Sequence, residues 1–256
     1  MVLTIDIGNT NLVMGGYTDG VLVFSTRIAT DRSLESDQYA LQLDGILHLH
    51  GIDSDTLEGA ILSSVVPQLT DTLMRALQRI TPVEPLLFSQ SLHTGVRVKI
   101  DRPAELGSDL LAGVIGAKAH YPLPAVVIDM GTATKITAVD GEGAVLGCSI
   151  APGVFVSLNA LTGTAVALGG IAVKAPVHGH AIGTNTADSM QSGVVYGAAA
   201  MLDGMIDRFA AELGAPASIL ATGGAAGCIV PHCRHRVQLV PTLILDGLYA
   251  VYQANR

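Results

Sequence analysis

Leu3-Thr4-Ile5-Asp6-Ile7-Gly8-Asn9-Thr10 opens the chain, and Val126-Val127-Ile128-Asp129-Met130-Gly131-Thr132-Ala133-Thr134 repeats its pattern nearly half the chain later. Each stretch is a short apolar run followed by Asp, one apolar residue, Gly and a polar cluster. A second β-like run follows each, Leu12 to Tyr17 and Ile136 to Val139, and ends at Asp19-Gly20 or Asp140-Gly141, both turn signals. Each turn leads into a third apolar run, Val21 to Phe24 or Ala144 to Ile150. Eight matching residues arise easily by chance; strand, motif, strand, turn and strand in one order do not. The repeat therefore predicts two related α/β domains. Each begins with an antiparallel meander whose first polar turn points at a common cleft.

The intervening segments read as further helices and strands. Apolar spacing predicts helices over 37–50, 68–79, 106–120 and 186–213, and strands over 60–66 and 218–221. Pro67 stops the first of these strands, and Thr222-Gly223-Gly224 ends the second. The boundary is expected near residue 120, giving domains 1–120 and 121–256.

Hydrophobic residues make up 49% of the 256 and charged ones 14%, which supplies a packed core and argues against disorder. With no Trp and few aromatics, that core must come from Val, Leu, Ile, Ala and Met. A net charge of −8 and the absence of a basic face exclude nucleic acid as an expected partner. Cys148, Cys228 and Cys233 are too few, and odd in number, for a disulfide framework, so a reducing compartment is expected. No signal-peptide pattern opens the chain, and no apolar run approaches the roughly 20 residues that span a bilayer. The expectation is a cytoplasmic protein without membrane association.

The turn Asp6-Ile7-Gly8-Asn9-Thr10-Asn11 carries the first chemical signal. Gly8 admits close backbone approach, Asn9, Thr10 and the following N–H groups can donate to phosphate oxygens, and Asp6 at the strand end can hold Mg²⁺ through water. An ordinary hairpin turn would look the same, but the second copy, Asp129 to Thr134, favours a pair of phosphate turns. Ala221-Thr222-Gly223-Gly224-Ala225 suits passage beside an adenosine, or is a plain strand–helix turn. No G-x-x-x-x-G-K-[ST], G-x-S-x-G or H-E-x-x-H pattern occurs. Asp109, at the start of a long apolar helix, can accept a proton from a substrate hydroxyl or can simply complement the helix dipole. Cys228, His232, Cys233 and His235 match no zinc spacing and read as a solvated loop.

Taken together these residues resemble the type III pantothenate kinase family, within the acetate kinase/sugar kinase/Hsp70/actin superfamily. The likeness continues through Ser63-Ser64-Val65-Val66-Pro67, Pro103 to Asp109, Ile150-Ala151-Pro152-Gly153, Ile182 to Thr186, Ser189 to Gly193 and Ala221 to Gly224. It implies two actin-like (ribonuclease H-like) α/β domains, each with a mixed five-stranded sheet flanked by helices, and a nucleotide cleft between them. It also implies ATP-dependent phosphorylation of pantothenate, Mg²⁺, a monovalent cation (K⁺ or ammonium) and a homodimer. By this resemblance Asp6, Ile7, Gly8, Asn9, Thr10, Asn11, Leu12, Val13 and Thr132 hold ATP, and Asp109 is the proton acceptor. Ile100, Gly107, Ser108, Asp109, Leu110 and Thr186 contact pantothenate, and Asp129 binds the monovalent cation.

Departures from the family pattern cluster near the expected substrate and cation sites and not near the ATP turns. Leu110 stands where an Arg is usual, Ile100 where a Tyr is usual, and Thr134-Lys135-Ile136-Thr137 where Thr-Thr-Phe-Asp is usual. Loss of the Arg removes an anchor for the substrate carboxylate or for the base itself. Lys135 has two readings: an ammonium at the monovalent-cation position, or a solvent-facing strand residue. Besides pantothenate phosphorylation, two alternatives stand at this level: a same-fold kinase for another small alcohol, and a catalytically impaired nucleotide-binding paralogue with a regulatory role.

Overall fold

The computed structural model describes residues 1–163 and 171–256. They divide into two compact units, the first made of Met1–Gly95, Arg102–Ala119 and Thr242–Arg256, the second of Val96–Asp101 and His120–Pro241.

The first unit is built on a sheet of order β3-β2-β1-β4-β5, comprising β1 (Val2–Ile7), β2 (Asn11–Thr18), β3 (Val21–Ala29), β4 (Gly59–Ser64) and β5 (Leu86–Leu87). The first three strands form the antiparallel meander, while β4 runs parallel to β1 and β5 parallel to β4. All of β1 is buried, as a central strand covered on both faces requires. Leu3, Ile5 and Ile7 share a core with Leu43 and Leu47 of α1 (Ser36–Leu49) and Leu73 and Leu77 of α2 (Pro67–Ile80). Pro67 does more than stop a strand: it stands at the first helical position of α2, where its missing N–H costs nothing.

Two more helices complete this unit, α3 (Ser108–His120) and α7 (Leu243–Ala254). A 3-10 turn over Pro103–Glu105 precedes α3, which therefore starts later than the apolar pattern from Leu106 predicts. The helix α7 packs against β1, β2 and β4. A Cβ on Gly247 would collide with the Ala112 carbonyl, and one on Gly116 with the Leu243 carbonyl, so the α3–α7 crossing needs bare backbone. Tyr17 of β2 holds α7 against the sheet. Its ring stacks on Tyr249 with centroids 4.5 Å apart, and its hydroxyl donates to Asp246 at 2.5 Å. A single cut at residue 120 thus misassigns the C-terminal helix. Leu243, Leu245, Leu248 and Val251 are buried by this packing, which the linear order of the sequence does not reveal.

The second unit repeats the plan with order β10-β9-β6-β7-β8. Its meander is β6 (Ala125–Met130), β7 (Ala133–Val139) and β8 (Val145–Pro152). Beside it β9 (Ser218–Thr222) runs parallel to β6, and β10 (Gln238–Leu239) parallel to β9. Val126, Ile128 and Met130 share a core with residues of α4 (Val154–Gly163), α5 (Thr186–Leu213) and α6 (Ala226–Ile229). The segment Val96–Asp101 lies beside β8, where Val98 bridges Val145 and the Lys99 ammonium sits 2.7 Å from Asp140.

The Cys228–His235 stretch is an anchored loop. Asp203 of α5, buried, accepts the N–H groups of Arg234 at 2.9 Å and His235 at 3.1 Å, and His235 pairs with Asp207 at 2.7 Å. Burial opposes the Asp203 charge, but these donors hold its carboxyl below the usual range. Among the described residues no three His, Cys, Asp or Glu side chains are placed to share a metal.

Candidate active site

The first polar turn links β1 to β2. The Gly8 N–H donates to the Asn11 carbonyl at 2.9 Å, and a Cβ on Gly8 would stand 3.0 Å from that oxygen. Thr30, just past β3, braces the turn twice: its hydroxyl donates to the Gly8 carbonyl at 2.7 Å and its N–H to Thr10 at 3.0 Å. Asn9 and Thr10 are exposed, whereas the side chains of Ile7 and Leu12 are buried, so these two can meet a ligand only through backbone. Arg32 donates to the Asn9 side chain at 2.8 Å. That guanidinium brings positive charge to a turn whose own sequence has none. No motif flagged Arg32, because the β3 strand alone carries it back to the turn.

Asp6 is 8% exposed at the end of β1 and pairs directly with Ser63 of β4. The Ser63 hydroxyl donates to Ser108 at 3.1 Å, and Ser108 donates on to the Ser64 carbonyl at 3.2 Å. Ser108 is the first residue of α3 and Asp109 the second. The helix start that carries Asp109 is therefore tied to the end of β4, the strand paired with Asp6, within one unit. The Asp109 carboxylate accepts the Leu110 N–H at 2.8 Å, and a Cβ on Gly107 would lie 2.7 Å from its Oδ1. Gly107 thus leaves room for the carboxylate. Leu110 itself is buried and offers a ligand only backbone.

The second turn is one residue shorter. Met130 pairs with Thr134, and the Gly131 N–H donates to Ala133 at 3.1 Å. Two glycines crowd it. Gly153 donates to the Thr132 carbonyl at 3.0 Å, and a Cβ there would strike the carbonyls of Gly131 and Thr132. Gly223, at φ 92°, lies against Met130, where a Cβ would be 2.6 Å from the backbone. The Thr222-Gly223-Gly224 motif and the Asp129–Thr134 turn are therefore neighbours. Lys135 turns its ammonium onto Asp129 at 2.9 Å rather than to solvent.

A cavity of about 600 Å³ lies in this unit between α4, α5 and the ends of β7 and β8, lined by Thr134, Pro152, Val154, Ser157, Thr186, Ser189 and Met190, among others. Thr186 is the first residue of α5, after an Asn185 cap whose side chain accepts the Asp188 N–H at 2.9 Å. The Thr134 hydroxyl, 1% exposed, has no hydrogen-bond partner among the described residues, an arrangement that favours a polar guest. Ile100 is not among the lining residues; it sits in the segment beside β8.

The type III pantothenate kinase family model matches residues 2–208. A type III pantothenate kinase of Roseiflexus castenholzii is 38% identical over 256 residues, covering 100% of both chains. Another, of Moorella thermoacetica, is 37% identical over 257 residues with the same coverage. Among solved structures, component A of the (R)-2-hydroxyglutaryl-CoA dehydratase of Acidaminococcus fermentans has a TM-score of 0.56 at 15% identity, covering 99% of this chain and 98% of that one. A Campylobacter jejuni protein described as a Baf family transcriptional activator has a TM-score of 0.62 at 17% identity, covering 98% and 97%. At such identities the structural likeness speaks to the fold alone, which is the actin-like α/β fold. With relatives of this similarity along its whole length and a family match over most of it, the chain belongs to the type III pantothenate kinase family.

Proposed function

We propose that this protein transfers the γ-phosphoryl group of ATP to the 4′-hydroxyl of pantothenate, the first step toward coenzyme A. One observation carries the reading at the level of residues: a carboxylate, Asp109, held at a helix start that is hydrogen-bonded to Ser63, the residue of β4 paired with Asp6. The turns after Asp6 and Asp129 offer backbone N–H groups, and Thr10 and Thr132 offer hydroxyls, to phosphate oxygens. Arg32 adds charge beside Asn9.

Asp109 accepts the proton of the 4′-hydroxyl as its oxygen bonds to the γ-phosphorus, and the bond from that phosphorus to the bridging oxygen of ADP breaks. The remaining work is positioning and charge neutralisation. A single buried carboxylate at a strand end fits a Mg²⁺ that keeps most of its water, so Asp6 is the residue to hold it, and the ion would neutralise phosphate charge. The cavity beside Thr186, apolar with a few hydroxyls, suits the branched aliphatic part of pantothenate.

Leu146 and Ile150, exposed on the edge strand β8, and Phe155, Val156 and Leu161 on α4 leave apolar surface that supports a homodimer. Among the described residues no helix is long and apolar enough to cross a membrane, which accords with work in the cytoplasm. With Leu110 buried and Ile100 outside the cavity lining, neither position supplies a side-chain anchor for the pantothenate carboxylate, which favours one second reading, a kinase of this fold acting on another small alcohol. ADP release measured with pantothenate and with a panel of small alcohols separates the two: turnover with pantothenate supports the first, and turnover only with another alcohol supports the second.

A further inference from the structure

The donor set at Asp129 does not fit a diffusible monovalent cation. Lys135 stands directly opposite Asp129 in the antiparallel register of β6 and β7, with its ammonium 2.9 Å from the carboxylate. The two side chains are only 15% and 13% exposed, so little water lies around the pair. A K⁺ sharing that oxygen would sit beside a like charge in a poorly screened place. The other strand neighbour of Asp129 is Thr222, whose hydroxyl is already turned to the Pro241 carbonyl at 3.4 Å. In the first unit the residue opposite Asp6 is Val13. The ammonium is thus a feature of the second turn alone and not of the repeated design.

We propose that Lys135 is a built-in monovalent cation. Its tethered ammonium supplies, at Asp129, the single positive charge that K⁺ or NH₄⁺ would otherwise bring to the second phosphate turn. A tethered charge costs no translational freedom on binding and is not lost when salt falls. The consequence is a kinase whose nucleotide affinity and turnover do not respond to K⁺ or NH₄⁺. The inference rests on the phosphate-binding role proposed for the Asp129–Thr134 turn.

The test is ATP affinity by calorimetry, together with Tm, in potassium, ammonium and tetramethylammonium chloride at equal ionic strength. For the wild type, the three ATP affinities are expected to agree within about threefold. Lys135→Thr, which removes the ammonium and opens space beside the carboxylate, is expected to bind ATP about tenfold more weakly in tetramethylammonium and to recover when K⁺ is added. Lys135→Arg is expected to keep the independence from salt. A wild type whose ATP affinity rises more than about threefold with K⁺ overturns the proposal, as does a Lys135→Thr protein that K⁺ fails to rescue. If Lys135→Thr does not fold, the wild-type titration decides alone. Absence of pantothenate turnover in every salt would sink the proposed function, while the ATP affinities would still decide the role of Lys135.

Discussion

Ser63 donates a hydrogen bond of 3.1 Å to Ser108, and through it the strand paired with Asp6 fixes the helix start that carries Asp109. Neither serine need touch the reacting atoms; both are positioning residues. Ser63→Ala removes the side-chain link at the residue paired with Asp6 and leaves Ser108 only its bond to the Ser64 carbonyl of the same strand. Turnover is expected to fall about tenfold with KM for ATP little changed, because a small misplacement of a base acts on kcat. Equal loss in both parameters would show that the bridge only stabilises the fold.

Asp109→Asn removes the proton acceptor while keeping shape and a hydrogen-bond acceptor for the Leu110 N–H. Turnover is expected to drop about 10²–10⁴-fold with ATP binding retained. Steady-state kinetics and calorimetry on the same preparation check this, and an unchanged kcat would remove Asp109 from the reaction.

Gly107→Ala would bring a methyl group to 2.7 Å from the Asp109 carboxylate. The carboxylate must swing away, whereas the backbone there needs no unusual conformation. The expected result is about a tenfold lower kcat at nearly constant Tm.

Gly223→Ala strikes differently. The backbone at φ 92° disfavours any side chain, and the Met130 backbone stands 2.6 Å from the added Cβ. Chemical denaturation is expected to show a loss of at least about 1–3 kcal/mol, with ATP affinity falling as the second turn is pushed aside. Full stability in this variant would mean the turn can shift without cost.

Acid weakens the edge of the second unit at Asp140. Burial opposes the charge of Asp140, but Lys99 and the N–H groups of Ala144 and Glu142 hold its carboxyl down to about 2, from 3.8. A pKa lowered by folding contributes stability that is complete above the unfolded value and is lost as pH falls through the folded one. Stability owed to this group is therefore expected to decline between about pH 4 and 2, and Lys99→Met to shrink that decline. Unfolding curves for both proteins across that range measure it.

Much of the architecture was legible in local pattern. The meanders around Asp6 and Asp129 read directly as apolar runs broken by turn residues, and α5 occupies the span its pattern predicts. The helices α4 and α7 were not legible: Val154–Gly163 and Leu243–Ala254 are apolar on nearly every side, so no amphipathic period marks them. Of the site, the turns, Asp109 and Thr186 carry their signals in neighbouring residues. Arg32 and Ser63 carry none, since their roles depend on strands that return the chain to a distant turn. Leu110 and Ile100 were expected at the substrate, yet one is buried and the other lies away from the cavity lining.

The sequence by itself determined that two Asp-Gly turns of one design recur on two α/β meanders, because strand alternation and turn chemistry are local properties of neighbouring residues. Tertiary structure alone decided that the C-terminal helix closes the first unit, that Ser63 reaches Ser108, and that Lys135 faces Asp129 instead of water. Those outcomes rest on register and packing between segments far apart in the chain, and where a long side chain ends depends on which burial and charge partners the assembled sheet offers it.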